Sequence, residues 1–362
     1  MPNKFNPDMV VLAREASDMT QLELAEVSRI PQPKLSKLEN GIFEPSPEEV
    51  TALATALKFE PEFFFQTDKI YGLGSSLLFN RKKRTVTVGV QRRVQANVNV
   101  ARMQIDRLLR GAEVVQVRKF MRLDIDQFDK DTEEIARRVR AAWNVPVGPI
   151  ANLTKLVEGA GGIVIRCDFG IEEIDATHLW LPDMPPLFFV NSRMPPDRYR
   201  FTLAHEVGHA VMHEHPTGDI EKEANQFARA LLMPADQIGP QLVGITVQKA
   251  ARLKPHWKVS ISALIVRAHD LGMIDDGRYE SLFKHLSALG YRRNEPVPIP
   301  QEVPEVLSQL MQIHQTHLGY GPQEMVRLLF TSVPRFVEVL GVQTAPRLAV
   351  EGQLKFPPLR MA

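Results

Sequence analysis

Apolar residues recur at helical spacing through most of this chain, and the runs break at capping residues, glycines and prolines. Val10, Leu12 and Ala13 mark a first short helix from Met9 to Ala16. Thr20 caps a second, Gln21 to Val27, with Glu23 placed to complete a capping box. A third starts near Pro31, whose fixed φ suits a helix start, and runs to Asn40 before Gly41. Ser46 caps a fourth from Pro47 to Leu57, and Pro61 opens a last turn ending in three phenylalanines at Phe65. Further on, Val94, Val98, Ala101, Ile105 and Leu108 share one face of a long helix from about Gln91 to Leu109. Such a face predicts packing on a neighbouring domain or a second subunit, so a homodimer is one candidate assembly.

From Asp131 the pattern changes. Thr132 to Trp143 is a capped amphipathic helix, and Asn152 to Ala160 is another that stops at Gly161-Gly162. Three apolar runs, 163–166, 174–181 and 186–191, read as strands. The run 186–190 is expected at a sheet edge, where an extended peptide can add itself as a further strand. A helix from about Asp197 is anchored by Phe201, Ala204, Val207, Val211 and Met212. The next, 220–234, turns Ala224, Phe227, Ala228 and Leu231 inward. Three helices follow around 247–253, 261–271 and 277–288, expected to pack under the preceding ones. The proline-rich stretch 294–304 reads as an extended linker, with short helices beyond it near 304–318, 323–330 and 334–340. The fold class is α+β, mainly helical. Five segments are expected: 1–65, 66–130, 131–240, 241–293 and 294–362.

Composition adds limits. A chain of 362 residues can bury more than one core, and a net charge of +1 indicates no class of partner by itself. The charge is uneven, however. Residues 1–65 are acidic on balance, whereas 66–122 are strongly basic and include the run Arg81 to Arg84. Those basic residues, with the arginines of the long helix, are candidate contacts to a phosphate backbone. The single cysteine, Cys167, rules out a disulfide framework and fits a reducing cytoplasm. No apolar run nears the roughly 20 residues of a spanning helix, and the first residues lack a signal-peptide core. A soluble, cytoplasmic protein without a membrane partner is the expectation.

Two helices joined by a few residues, the second short and hydrophilic on one side, make a helix-turn-helix. Thr20-Gln21, Leu24-Ala25, Leu35 to Gly41 and Pro45-Ser46 resemble the Cro/repressor (XRE) family over nearly all of 9–65. The resemblance implies a five-helix DNA-binding domain and a double-stranded DNA operator as partner. It also implies that helix 32–40 enters the major groove, with Gln32, Lys34 and Lys37 facing bases or phosphates and Gln21 touching the backbone.

Chemistry concentrates at His205-Glu206-Val207-Gly208-His209. Histidines four apart lie on one helical face, about 6 Å apart along the axis, so both imidazoles can hold one Zn²⁺. The glutamate between them can act as base on the attacking water. Gly208, the one small residue there, lets another backbone come close. His213 continues the series but sits about 12 Å along the helix from His205, too far for the same ion. Glu221 and Glu223 flank the apolar face of the next helix at similar angles, and periodicity does not choose between them. For the tetrahedral oxyanion, His178, Tyr199 and His213 are the candidate donors.

The run Arg200 to His209, followed by Glu223 to Pro234, resembles the ImmA/IrrE family of metallo-endopeptidases over roughly 131–238. That resemblance implies a zincin-like fold with a small mixed sheet. It implies His205, His209 and Glu223 as metal ligands for Zn²⁺, with Mn²⁺ as the alternative, and Glu206 as general base. It implies as substrate a helix-turn-helix repressor cut near its interdomain linker, in control of stress-response or mobile-element genes. On this reading 131–240 is the peptidase domain, 241–293 a helical extension and 294–362 a linker with a small helical unit. The alternative is a DNA-binding or antitoxin-like regulator whose peptidase fold serves as a sensor or dimer platform with little activity.

Overall fold

A computed structural model describes residues 4–72, 86–112, 118–214, 219–292 and 294–341; the basic run Arg81 to Arg84 lies outside them. Helices α1 to α4 are Pro7–Ala16, Gln21–Ser28, Gln32–Glu39 and Pro47–Leu57, followed by a 3₁₀ turn at Pro61–Phe65 and α5 at Val88–Leu109. Then come α6 (Thr132–Ala142), α7 (Leu153–Gly159), β1 (Ile163–Cys167), β2 (Ala176–Leu179), β3 (Leu187–Asn191), α8 (Pro196–Met212) and α9 (Ile220–Leu232). The helices that follow are α10 (Ala235–Leu242), α11 (Val247–Trp257), α12 (Ile261–Asp270), α13 (Asp276–Ala288), α14 (Val306–Thr316), α15 (Pro322–Leu329) and α16 (Val333–Leu340). The expected capping box of Thr20 with Glu23 forms, and the cap Ser46 makes a second one with Glu49. The fifth element of the N-terminal domain is a 3₁₀ turn rather than an α-helix.

The chain divides into two compact units. The first gathers Met1–Val115, Ile165–Ile174 and Glu305–Ala362. Its core joins Met9, Leu24, Leu35, Leu38, Leu53, Leu57, Phe63 and Phe64 to Ala96, Val100 and Met103 of α5 and to Phe330. The periodic face Val94, Val98, Ala101, Ile105 and Leu108 is fully buried, as expected. The residues by which α5 joins the N-terminal core, Ala96, Val100 and Met103, lie outside that face. The C-terminal helices belong to the same unit, with Gln104 Nε2 donating to the Leu329 carbonyl at 2.8 Å and Glu60 N–H to that of Phe330 at 2.8 Å. Two arginines expected to face a phosphate backbone are buried instead. Arg102 and Arg107 both pair with Asp68, at 3.1 and 2.9 Å. Arg93 pairs with Asp18 and Arg110 with Asp106, and Arg92 and Arg110 are exposed.

The second unit comprises Gln116–Val164 and Asp175–Pro304. Strands β2 and β3 of the small mixed sheet, whose order is β1-β3-β2, lie in this unit. The segment 186–190 is therefore the middle strand and not an edge, a correction with a clear cause. All five residues of β3 are buried, as a strand with neighbours on both sides requires. The edge nearest the metal-motif helix is β2, antiparallel to β3 with His178 opposite Phe188. Strand alternation puts His178 on the same face as Ala176, which packs in the core with Phe188, Val190, Leu203 and Val207.

The proline-rich stretch is extended, yet it is no free linker. Glu295 accepts from Lys254 Nζ at 2.8 Å and from the Ile261 N–H at 2.8 Å, at the N-terminus of α12. Glu302 is buried and accepts from the Leu153 and Thr154 N–H groups at 3.1 and 2.8 Å, at the start of α7, and from Arg200 of α8. Each carboxylate thus meets orphan helix N–H donors together with a buried cation. Two glutamates pin this strap across the back of the metal-motif helix.

Candidate metal centre

Helices α8 and α9 cross closely because Gly208 carries no side chain. A Cβ there would come to 2.8 Å of the Phe227 ring and 3.4 Å of the Ala224 Cα. The crossing brings the first turn of α9 over the two histidines. His205 and His209 present Nε2 atoms 3.0 Å apart. Glu221 supplies Oε1 at 3.2 Å from His209 Nε2 and Oε2 at 3.5 Å from His205 Nε2. Donors on a tetrahedral cation with bonds of about 2.0–2.1 Å stand roughly 3.3 Å apart, and these three separations bracket that figure.

The carboxylate that the structure brings to the two Nε2 atoms is Glu221, whereas the resemblance implies Glu223. Glu223 accepts from His213, with Oε2 3.0 Å from Nε2. Both glutamates flank the apolar face of α9, and only the crossing direction, which the sequence does not carry, places Glu221 by His205 and His209 and Glu223 by His213. His205, His209 and Glu221 form a group of possible metal donors among the described residues. They fit a divalent cation on a structural observation: Glu221 Oε1 is buried, and both oxygens of its carboxylate lie within 3.5 Å of an imidazole Nε2. Burial pushes the Glu221 carboxyl up, but hydrogen bonds and charge from His205 and His209 outweigh it and hold the group well below the usual range. Burial also lowers His209, favouring the neutral imidazole a metal needs, whereas at His205 the carboxylates overcome burial and raise it.

Glu206 is almost fully buried, with Oε2 2.7 Å from His178 Nδ1. Burial opposes its ionisation, yet the His178 hydrogen bond and the neighbouring imidazoles bring it net below the ordinary glutamate value. His178 therefore carries its proton on Nδ1, towards the carboxylate, and its ring lies nearly parallel to that of His209, 6.0 Å between centroids. With Nδ1 so engaged, neutral His178 has only a lone pair at Nε2; it orients Glu206, and donates elsewhere only as an imidazolium. The other two candidate oxyanion donors are committed. Tyr199 is buried with its hydroxyl 3.0 Å from Thr154 Oγ1. His213 ends α8 and bonds His209 on one side and Glu223 on the other. Burial, and then the charges of the other histidines, push His213 down to about 3. Sequence reasoning did not single out Arg200, Glu302 or Lys130; their partners come from segments far away in the chain.

At the helix-turn-helix, α2 and α3 meet through a polar network. Arg14 Nε and Gln21 Nε2 donate to the Glu39 carboxylate at 2.6 and 2.7 Å, and Gln32 Nε2 donates to Gln21 Oε1 at 3.1 Å. Lys34 pairs with Glu49 and lies over the Phe43 ring at 4.6 Å. Lys37 is exposed and enters no ion pair among the described residues. Of the four predicted contact residues, only Lys37 presents an unshared charge. Lys37→Ala is expected to weaken promoter binding and to reduce the salt slope by about 1, more than Lys34→Ala does. Titrations of DNA at several salt concentrations check this, and a larger effect at Lys34 contradicts it.

Two imidazoles and a carboxylate converge on a common point that could hold a divalent cation, with a second carboxylate buried beside them. Comparison with known proteins agrees. Residues 158–269 match the IrrE N-terminal-like domain family, and residues 12–64 match the helix-turn-helix family. The chain is also similar to the radiation response metalloprotease IrrE of Deinococcus deserti, at 35% identity over 96 residues. That match covers 22% of this chain and 34% of the relative, so the chain spans about a third of that protein's length. The IrrE-like match implies a metal cofactor, and the likeness to the relative is a distant one. No described helix is long and apolar enough to cross a membrane.

Proposed function

We propose that this chain is a DNA-binding regulator with a working metal-dependent endopeptidase domain, in which His205, His209 and Glu221 hold the cation and Glu206 is the general base. The observation that carries the reading is Glu206 itself, buried and oriented by His178 beside three convergent donors. A structural zinc site normally has four protein ligands and no poised base. When bound, Zn²⁺, or Mn²⁺ in its place, supplies Lewis acidity to the attacking water and the peptide carbonyl. Glu206 accepts the water's proton on its carboxylate and passes it to the leaving amine. His178 Nδ1–H holds that carboxylate while it is charged. An extended substrate suits the edge of β2, whose His178 stands beside Glu206.

The proposed substrate is a helix-turn-helix repressor, and the proposed location is the cytoplasm, where such a partner and double-stranded DNA occur. What supports it is the pairing in one chain of a helix-turn-helix domain with an IrrE-like one. The test is incubation of a repressor encoded beside this gene with zinc-loaded protein and with Glu206→Gln. Cleavage by the first alone supports the reading. Equal cleavage by both, or none with either metal, leaves a regulator whose peptidase fold does other work.

A further inference from the structure

Behind His209 lies a chain of contacts that neither the proposed ligands nor the proposed base accounts for. His209 Nδ1 is 3.0 Å from His213 Nδ1, His213 Nε2 is 3.0 Å from Glu223 Oε2, and Lys130 Nζ stands 3.9 Å from Glu223 Oε1. His209, His213 and Glu223 are buried, whereas Lys130 reaches solvent. We propose that His213 and Glu223 are positioning residues, a two-step relay that fixes the tautomer and orientation of His209 for its metal. The inference rests on the metal reading above and deepens it.

The tautomers follow in order from one requirement. A neutral imidazole that gives its Nε2 lone pair to a cation carries its proton on Nδ1. His209 then donates to His213 Nδ1, so His213 accepts there and carries its own proton on Nε2. That proton points at Glu223, an ionised acceptor. The whole chain has a single consistent direction, from ligand to carboxylate, and reversing any link leaves two lone pairs or two protons facing each other. A carboxylate at the end of the chain makes each imidazole in turn a better electron donor, so His209 binds more firmly. Backbone geometry supports this: α8 stops at Met212, and His213 leaves the helix with φ −115° and ψ 71°. Its ring therefore meets the far nitrogen of His209 instead of continuing along the axis.

The experiment is zinc affinity of the full-length chain, read by competition with a chromogenic chelator, for wild type, His213→Phe, His213→Asn, Glu223→Gln and Glu221→Gln. His213→Phe removes the acceptor and is expected to weaken zinc binding by about 10–100-fold. His213→Asn keeps an amide oxygen for the His209 proton and is expected to recover part of that loss. Glu223→Gln keeps an acceptor without its charge and is expected to cost about 10-fold, less than loss of the ligand Glu221. In zinc-loaded wild type, proton NMR should show a slowly exchanging His209 Nδ1–H that His213→Phe abolishes. Unchanged zinc affinity in His213→Phe overturns the relay alone. A larger loss from Glu223→Gln than from Glu221→Gln makes Glu223 a direct ligand and also overturns it. A wild type that takes up no zinc removes the metal reading and the relay together. Circular dichroism establishes folding; should His213→Phe not fold, Glu223→Gln decides, and an affinity equal to wild type refutes the proposal.

Discussion

Glu206→Gln is expected to lower repressor cleavage by about 10²–10⁴-fold with zinc affinity close to that of wild type. The two readouts separate because Glu206 stands beside the donor group and not in it: the convergent atoms belong to His205, His209 and Glu221. An amide at 206 still accepts from His178 Nδ1–H, now 2.7 Å from the carboxylate, so the local geometry survives. What disappears is a group able to take up a proton and return it. Single-turnover cleavage with equal zinc loading measures this. Loss of zinc together with activity would place Glu206 among the ligands, and undiminished cleavage would remove it from the chemistry.

The second large effect is on stability, at the strap. Arg200 is buried on α8 and donates to the Ile150 carbonyl at 2.8 Å and to Glu302. Burial pushes the guanidinium down to about 10, which leaves it charged at neutral pH. Glu302→Ala removes its counter-ion and, in the same step, the acceptor for two N–H groups at the start of α7. An uncompensated buried charge costs about 3–5 kcal/mol, a large fraction of a domain's stability. Urea unfolding of the variant should show a correspondingly lower midpoint, with Glu295→Ala less affected because Lys254 keeps Asp197 at 2.7 Å. A midpoint equal to wild type would mean that the strap is an ornament on the fold.

Much of this architecture could be read along the chain because its information is local. Capping boxes, the apolar face of α5 and the spacing of His205 and His209 depend on neighbours three or four residues away. The rest depends on which segments meet. Glu221 and Glu223 differ by one crossing angle between α8 and α9, and no periodicity encodes that. Gly208 was the usable hint, since a missing side chain in a motif helix marks a close approach. The strand 186–190 read as an edge because apolar runs do not reveal strand order. Glu302 looked like a linker residue for a similar reason, its partners lying roughly a hundred residues or more earlier.

The central claim is that one cation sits between His205, His209 and Glu221. A crystal of zinc-loaded protein, with anomalous differences collected at the zinc edge, tests it most directly. The account predicts one strong peak about 2.0–2.1 Å from both Nε2 atoms and from a Glu221 oxygen. A peak bonded to Glu223, or none near those imidazoles, would contradict it.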